Sequence, residues 1–152
     1  MENREQAINH VLVHLFNDVL RLEEDSLREA GVVGLSMREI HILEAVCGAG
    51  EENTMSALAR RLRVTIGSLT VAMKTLERKG YVLRRRSSSD KRCIHVLPLA
   101  QAWQVEEKHR AYHQRMTRAV MTAVPPEQLD AVVQGLEAAW LYFNGQMKEG
   151  QA

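Results

Sequence analysis

The sequence TMSALARRLRVTIGSLTVAMKTLERKG occupies residues 54–80 and decides the fold of the chain. Apolar residues recur in it at the spacing of one helix face, both before and after Arg63, with Thr54 and Thr65 as N-caps and Gly80 as a stop. The residues expected to face inward are Met55, Leu58, Leu62, Ile66, Leu69, Met73 and Leu76. Two short helices joined by a tight turn form a helix-turn-helix.

The segments around this motif predict a β-hairpin and four further helices. Residues 81–83 and 93–97 are apolar enough for two short strands, and a polar turn joins them. Apolar periodicity predicts helices over about 4–30, 36–47, 100–124 and 126–148. The expected fold class is therefore mainly α, with about six helices and a β-hairpin wing. Residues 35–99 form the predicted winged lobe, and residues 1–34 and 100–152 form long terminal helices.

Positive charge is concentrated in the middle of the chain. Residues 54–92 contain eleven Lys or Arg and two acidic residues, a net charge of +9, which leaves −8 for the remainder of a chain whose net charge is +1. A basic segment that coincides with a helix-turn-helix and a hairpin favours binding to double-stranded DNA. The alternative is a solvated basic surface without a partner.

The second helix of the motif has an outward face suited to a major groove. Short hydroxyl side chains can bond base edges, and an apolar tip can touch a thymine methyl group. The predicted contacts from this helix are Thr65, Ser68, Thr70, Val71 and Lys74. In the hairpin, Arg92 is expected to enter a minor groove while Asp90 orients its side chain. The predicted contacts from the hairpin are Arg84, Arg86, Ser88, Ser89, Asp90 and Arg92.

Composition excludes several other classes of protein. The chain has 152 residues, 45% hydrophobic and 26% charged, which suffices for one core without a disulfide or a structural metal. Cys47 and Cys93 form neither a disulfide framework nor a thiolate metal site, and a reducing cytoplasm is the expected location. We find no signal peptide, no membrane-spanning run and no catalytic motif, so neither a membrane association nor an enzyme is expected.

The terminal helices predict a homodimer. The first carries a long apolar stripe, and the last repeats apolar residues at nearly seven-residue spacing, from Leu129 through Leu136 to Phe143. One core of this size hardly needs both stripes, so a second copy of the chain is the expected partner. The alternative is that the two helices pack on each other in a monomer.

The motifs LSMREIHILEAV, MSALARRL and LERKGY, together with an Asp and an Arg in the wing, resemble the MarR family of winged-helix repressors. The resemblance implies an obligate dimer whose two winged lobes bind a palindromic operator, with no cofactor required. One departure concerns the end of the second wing strand. Leu97 is followed by Pro98, and Gln101 stands where the family usually has a glycine.

Within the family, NDVLRLEEDSLRE, VTIGSLT and the spaced KHRAYHQRM resemble the repressors of fatty-acid biosynthesis genes in Gram-positive bacteria. That subgroup is similar in placing one His in helix two and two His four residues apart in helix five. The resemblance implies an acyl group on acyl carrier protein as corepressor, bound between the dimer helices and the winged lobe. The effector residues it implies are Leu20, Glu24, His41, His109 and His113.

Two alternatives concern other effectors. A zinc-responsive repressor of the same family would use Glu24, His41, His109 and His113, because histidines one helical turn apart can bind zinc when a third ligand approaches. A redox-sensing repressor would need an exposed thiolate beside a basic or hydrogen-bonding partner. Cys47 and Cys93 are both interpreted as inert, although Cys93 follows Lys91 and Arg92 and stays open as a sensor.

A helical dimer without DNA binding is the alternative from another functional class.

Overall fold

The computed structural model describes the backbone of residues 2–149 and the side chains of residues 3–145. In chain order it contains α1 (Glu2–Glu29), α2 (Met37–Cys47), α3 (Met55–Leu62), α4 (Ile66–Arg78), β1 (Val82–Arg86), β2 (Ile94–Pro98), α5 (Ala100–Ala123), a 3-10 turn (Pro126–Gln128) and α6 (Leu129–Glu149). Within the described residues, the predicted mainly α fold with six helices and a two-stranded hairpin is confirmed. Residues 1 and 150–152, which the predicted terminal segments include, lie outside this range.

The chain divides into two compact units, one reaching to Tyr112 and the other beginning at His113. The first unit contains α1 to β2 and the first half of α5, and the second contains the rest of α5 and α6. The segment predicted as a helix from Pro126 opens as the 3-10 turn, with Pro126 at its first position, where the missing backbone N–H costs no hydrogen bond. The predicted division by role, with a winged lobe at residues 35–99, stays a prediction.

The core of the first unit joins the helix-turn-helix to the hairpin. Leu58 of α3, Met73 and Leu76 of α4 and Val96 of β2 are fully buried. Other buried apolar residues of the same cluster are Leu27, Ile40, Leu43, Val46, Leu69, Val82, Ala102 and Val105. Burying one such side chain stabilises the fold by about 1.5–3 kcal/mol. The core therefore fixes the orientation of α4 relative to the hairpin.

Side-chain caps set the ends of the short helices. Ser36 and Glu39 cap α2 reciprocally: Glu39 N donates to Ser36 Oγ at 3.3 Å, and Ser36 N donates to Glu39 Oε2 at 2.8 Å. Thr54 Oγ1 accepts from Ala57 N at 3.2 Å at the start of α3. Arg63, at the end of α3, adopts the left-handed conformation with φ 54°. This conformation makes the turn into α4 sharp.

The departure from the family pattern at the second strand does not interrupt the strand pairing of the hairpin. The two strands are antiparallel, and Val82 is paired with Pro98. Beyond the proline, Leu99 N donates to Tyr81 O at 2.9 Å, so the pairing continues into the start of α5. The first strand runs to Arg86, three residues further than predicted, because the ladder includes the arginine-rich segment.

Both terminal helices carry exposed apolar side chains. Those of α1 include Ile8, Val11, Leu15, Phe16 and Leu20. Those of α6 include Val133, Leu136, Trp140, Leu141 and Tyr142. Contiguous exposed apolar surface is typical of an interaction site. Within residues 2–149, none of the helices combines the length and the apolar character needed to cross a bilayer.

Candidate nucleic-acid interface

The start of α4 is held by two of the hydroxyl residues that the sequence predicts at the DNA. Thr65 is the N-cap of α4, and its Oγ1 accepts a hydrogen bond from Ser68 N at 3.1 Å. The Thr65 hydroxyl also donates to Ser68 Oγ at 3.0 Å. Both residues are exposed, so this cap fixes two polar groups at the tip of the helix that the sequence predicts in the major groove. We call α4 the recognition helix.

The solvent-facing side of the recognition helix carries Val71 and Lys74, as predicted, with Val71 68% exposed. Thr70 is half-buried, and its hydroxyl donates to Ile66 O at 2.7 Å. The expectation that Ile66 faces the core is wrong, since this side chain is 54% exposed. Ile66 begins the helix, so no preceding turn covers it, and burial on α4 starts one turn later at Leu69.

Arg84 in β1 is bound to Glu77 in the recognition helix. Its backbone N donates to Glu77 Oε1 at 2.9 Å, and its Nε and Nη2 donate to Glu77 Oε2 at 3.0 and 2.7 Å. This pairing positions Arg84 between the wing and the recognition helix, and its DNA contact stays a prediction. The sequence analysis missed Glu77, which lies seven residues away, across the turn from α4 into β1.

The Glu77–Arg84 pair has a defined pH dependence. The backbone hydrogen bond from Arg84, followed by its side-chain bonds, lowers the pKa of the Glu77 carboxyl. A lowered carboxyl pKa in the folded state means that the pair stabilises the fold fully above the ordinary carboxyl pKa of about 4.3. This contribution is lost as the pH falls through the lowered value. The pair is therefore intact at neutral pH.

The tip of the wing is an ordered turn stabilised by Asp90. Its Oδ1 accepts from Arg92 N at 2.9 Å, and its carbonyl oxygen accepts from Cys93 N at 2.9 Å. The Asp90 carboxylate therefore holds the backbone N–H of Arg92, whereas the predicted contact was with the Arg92 guanidinium. Ser88 and Ser89 are exposed at the tip, as a segment that approaches a duplex requires.

Exposed cations surround this surface. Among the described side chains they are Lys74 and Arg78 of the recognition helix, and Arg85, Arg86, Lys91 and Arg92 of the hairpin. We call these six residues together the basic face, in which Arg85 and Arg86, as neighbours in β1, point to opposite sides of the hairpin. Exposed Lys and Arg side chains neutralise phosphates, and an arginine aimed at a minor groove is favoured where the groove is narrow. The basic face can therefore hold a DNA backbone while Val71 and the hydroxyl groups of α4 approach base edges.

A second group of polar residues joins α1, α2 and α5 inside the first unit. Glu23 and His109 are 2% and 1% exposed, and Glu23 Oε1 is hydrogen-bonded to His109 Nε2. Glu23 Oε2 lies 3.8 Å from His41 Nε2, and His109 Nδ1 lies 3.8 Å from Glu44 Oε2. We call Glu23, His41, Glu44 and His109 the histidine cluster. Carboxylates and imidazoles in this arrangement can bind a proton or a transition metal.

The structure differs from the sequence analysis in which carboxylate meets the histidines. Glu23 occupies the position that was predicted for Glu24, which is exposed and paired with an arginine of the same helix. Leu20 is exposed on α1, and His113 is half-buried in the second unit, one helical turn beyond His109 in α5. Neighbouring residues point about 100° apart around a helix, so only the packing of α1 decides which one turns inward.

The Cys47 thiol is buried in α2. Burial, followed by the charge of Glu106, raises the pKa of this thiol to about 11. The thiolate is the reactive form of cysteine, so Cys47 is unreactive at neutral pH, in agreement with its interpretation from the sequence.

Comparison with known proteins finds a family match in the middle of the chain. A model of the MarR family matches residues 35–94, from the loop before α2 to the start of β2. The chain carries a MarR-family domain. MarR proteins are transcription regulators and not enzymes, which confirms that part of the sequence interpretation.

Similar proteins extend this likeness over nearly the whole chain. FabT of Streptococcus pneumoniae, solved in complex with DNA, is 26% identical with a TM-score of 0.78, and the match covers 93% of this chain and 99% of that one. MepR of Staphylococcus aureus, also solved with DNA, is 14% identical with a TM-score of 0.66. The match covers 86% of this chain and 96% of that one, and it supports the fold alone. YkoM of Bacillus subtilis, described as an uncharacterized HTH-type transcriptional regulator, is 23% identical, over 93% of this chain and 90% of its own. The chain is a DNA-binding transcriptional regulator with a MarR-type winged helix.

Proposed function

We propose that this MarR-type regulator is a repressor that binds a pseudo-palindromic operator as a homodimer. The observation that carries the proposal is the basic face, in which the recognition helix and the wing present their exposed cations together and are braced by Glu77 and Arg84. In a dimer of this kind, each recognition helix enters a major groove and the two half-sites lie about 34–36 Å apart. The similarity to FabT, which was solved in complex with DNA, supports the proposed binding to DNA.

The exposed apolar side chains of α1 and α6 support a dimer. A monomer rarely leaves a continuous apolar surface in water, and Trp140 at 61% exposure is the largest side chain on α6. Burying such residues against a second copy of the chain forms a symmetric interface. The proposed interface therefore consists of the terminal helices and shares no residue with the basic face.

Replacement of Arg92 by alanine tests the proposed DNA surface. Since the bond to Asp90 comes from the backbone N–H of Arg92, the variant keeps the turn and loses only the exposed guanidinium. We expect affinity for duplex DNA to fall about tenfold without a lower Tm, because an inserted arginine contributes strongly in a narrow groove. Fluorescence anisotropy with a fragment selected from genomic DNA measures the affinity.

The control for this experiment is Arg21→Ala, which removes an exposed arginine from α1. This variant is expected to bind DNA like the unmodified protein. Equal affinity of the Arg92→Ala variant and the unmodified protein would remove the wing from the proposed interface.

The proposed effector is a long-chain acyl group carried on acyl carrier protein, and the proposed target genes are those of fatty-acid biosynthesis. The sequence resemblance to the repressors of those genes supports this assignment. A pocket of about 260 Å³ beside α1 and α2 in the first unit is lined by apolar residues, among them Leu27 and Ile40, together with the charged residues Glu24 and Arg28. Acylated carrier protein is expected to change DNA affinity in the anisotropy assay. An unchanged affinity with both the acylated and the free carrier would exclude this effector.

A zinc-responsive repressor is the second candidate, and the histidine cluster favours it. Zinc binds imidazole nitrogen and carboxylate oxygen. Glu23 is hydrogen-bonded to His109, and its second oxygen lies 3.8 Å from His41 Nε2. This candidate predicts that equilibrium dialysis finds one tightly bound zinc ion per chain and that zinc changes DNA affinity. Glu23→Gln is expected to abolish binding, whereas the matched variant Glu24→Gln keeps it. Absence of tight zinc binding in the unmodified protein would eliminate the candidate.

A further inference from the structure

The base of the wing holds a cysteine, a histidine and an asparagine in contact. Cys93 directly precedes β2 and His95 lies within it, so strand alternation points both side chains to the same face. Cys93 Sγ is 3.7 Å from His95 Nε2, a hydrogen-bonding distance for sulfur. His95 Nδ1 is 2.7 Å from the Oδ1 atom of Asn53, in the loop before α3. The backbone holds this loop in place, because Val96 N donates to Asn53 O at 2.8 Å.

These contacts assign the proton of the imidazole. An amide oxygen only accepts hydrogen bonds, so His95 Nδ1 carries the proton that is donated to Asn53. In a neutral imidazole the other nitrogen is then an acceptor, and His95 Nε2 faces the Cys93 thiol with its lone pair. A nucleophile beside a base that is oriented by a third group is the arrangement that activates cysteines in enzymes.

The thiol also lies in an accessible place. Cys93 lines a groove of about 520 Å³ between the recognition helix and the wing. Ile66 and Thr70 of α4 line the same groove, as do Asp90 and Arg92 of the wing. A group attached to Cys93 would therefore stand between the two elements of the proposed DNA surface. Cys47 is buried away from solvent and has a raised thiol pKa, which lowers the reactivity of that thiol.

We propose that Cys93 is a thiol oxidised by hydroperoxides, and that its oxidation lowers the affinity of the regulator for DNA. The Cys93 proton passes to His95 Nε2, and the thiolate sulfur attacks one peroxide oxygen. The O–O bond breaks, the protein keeps a sulfenic acid, and the second oxygen leaves as water or an alcohol after taking up the proton from His95. The hydroperoxide is reduced by two electrons and the sulfur is oxidised by two. The effect on DNA rests on the proposed function, whereas the thiol chemistry does not.

The first part of the test measures the chemistry by itself. The full-length protein is treated with hydrogen peroxide and dimedone, and peptide mass spectrometry follows sulfenic acid formation at Cys93 and Cys47. We expect Cys93 to react at least about tenfold faster than Cys47. His95→Gln should slow the reaction of Cys93 about tenfold or more and move the pH profile of its alkylation by iodoacetamide to higher pH. Equal rates at the two cysteines, or an unchanged pH profile in His95→Gln with an unchanged Tm, would overturn the proposal.

The second part measures DNA affinity before and after peroxide. We expect the affinity of the unmodified protein to fall about tenfold or more and to recover with dithiothreitol, because sulfenic acids are reduced by thiols. Cys93→Ser should keep its affinity under peroxide, and Cys47→Ser should respond like the unmodified protein. Full oxidation of Cys93 without a change in DNA affinity would overturn the regulatory role. A protein that binds no DNA before treatment would refute the proposed function, and the labelling rates would then decide the thiol chemistry alone.

Discussion

His109→Leu is expected to lower the free energy of unfolding by about 3–5 kcal/mol. The imidazole is 1% exposed and hydrogen-bonded to Glu23, which is itself buried. Removing the ring leaves the Glu23 carboxylate in an interior that solvates it poorly, which is more costly than the loss of one ordinary contact. Urea unfolding at neutral pH, followed by circular dichroism, measures the difference.

Two further variants separate this interaction from a general packing effect. Glu23→Leu combined with His109→Leu removes both polar groups and is expected to recover part of the lost stability, because apolar replacements of a buried pair are often neutral. Glu24→Leu changes the adjacent, exposed carboxylate and should alter stability by less than about 1 kcal/mol. A loss in Glu24→Leu as large as that in His109→Leu would contradict the assignment of Glu23 to the histidine cluster.

Leu136→Asp combined with Trp140→Asp is expected to convert the regulator into monomers and to weaken operator binding about a hundredfold or more. Charged side chains in an apolar interface cannot be desolvated cheaply, and a monomer loses the gain from binding two half-sites at once. Light scattering should give a mass of 17.2 kDa for the variant and twice that value for the unmodified protein. DNA affinity is measured on the same samples.

The control for this experiment is Val33→Asp, which places a charge on an exposed valine outside the terminal helices. This variant should stay dimeric and keep its DNA affinity. If the unmodified protein scatters as a single chain of 17.2 kDa at micromolar concentration, the proposed dimer is refuted.

The sequence predicted the order of helices and strands well because the signals for them are local. Thr54 and Thr65 cap the two helices of the motif, as expected from their positions before apolar periodic segments. The hairpin follows from two short apolar runs around a polar turn. Each of these signals depends on residues close together in the chain, so no knowledge of tertiary packing is needed to find them.

Three features of the site depend on tertiary packing, which local sequence patterns do not predict. Glu23 and Glu24 are chemically equivalent neighbours, and only the phase of α1 against α2 and α5 selects Glu23. The pairing of Arg84 with Glu77 requires the geometry of the turn between α4 and β1. The exposure of Ile66 follows from its place at the first residue of α4, although its spacing matches the buried face.

The most direct test of the basic face is the salt dependence of DNA binding. Anisotropy titrations of the unmodified protein with its selected genomic fragment are made at several potassium chloride concentrations. If the dimer makes six to ten phosphate contacts, affinity should fall by about 10³–10⁵ between roughly 50 and 200 mM salt. Failure to bind any fragment at low salt, or an affinity that does not change with salt, would contradict a DNA-binding role for the basic face.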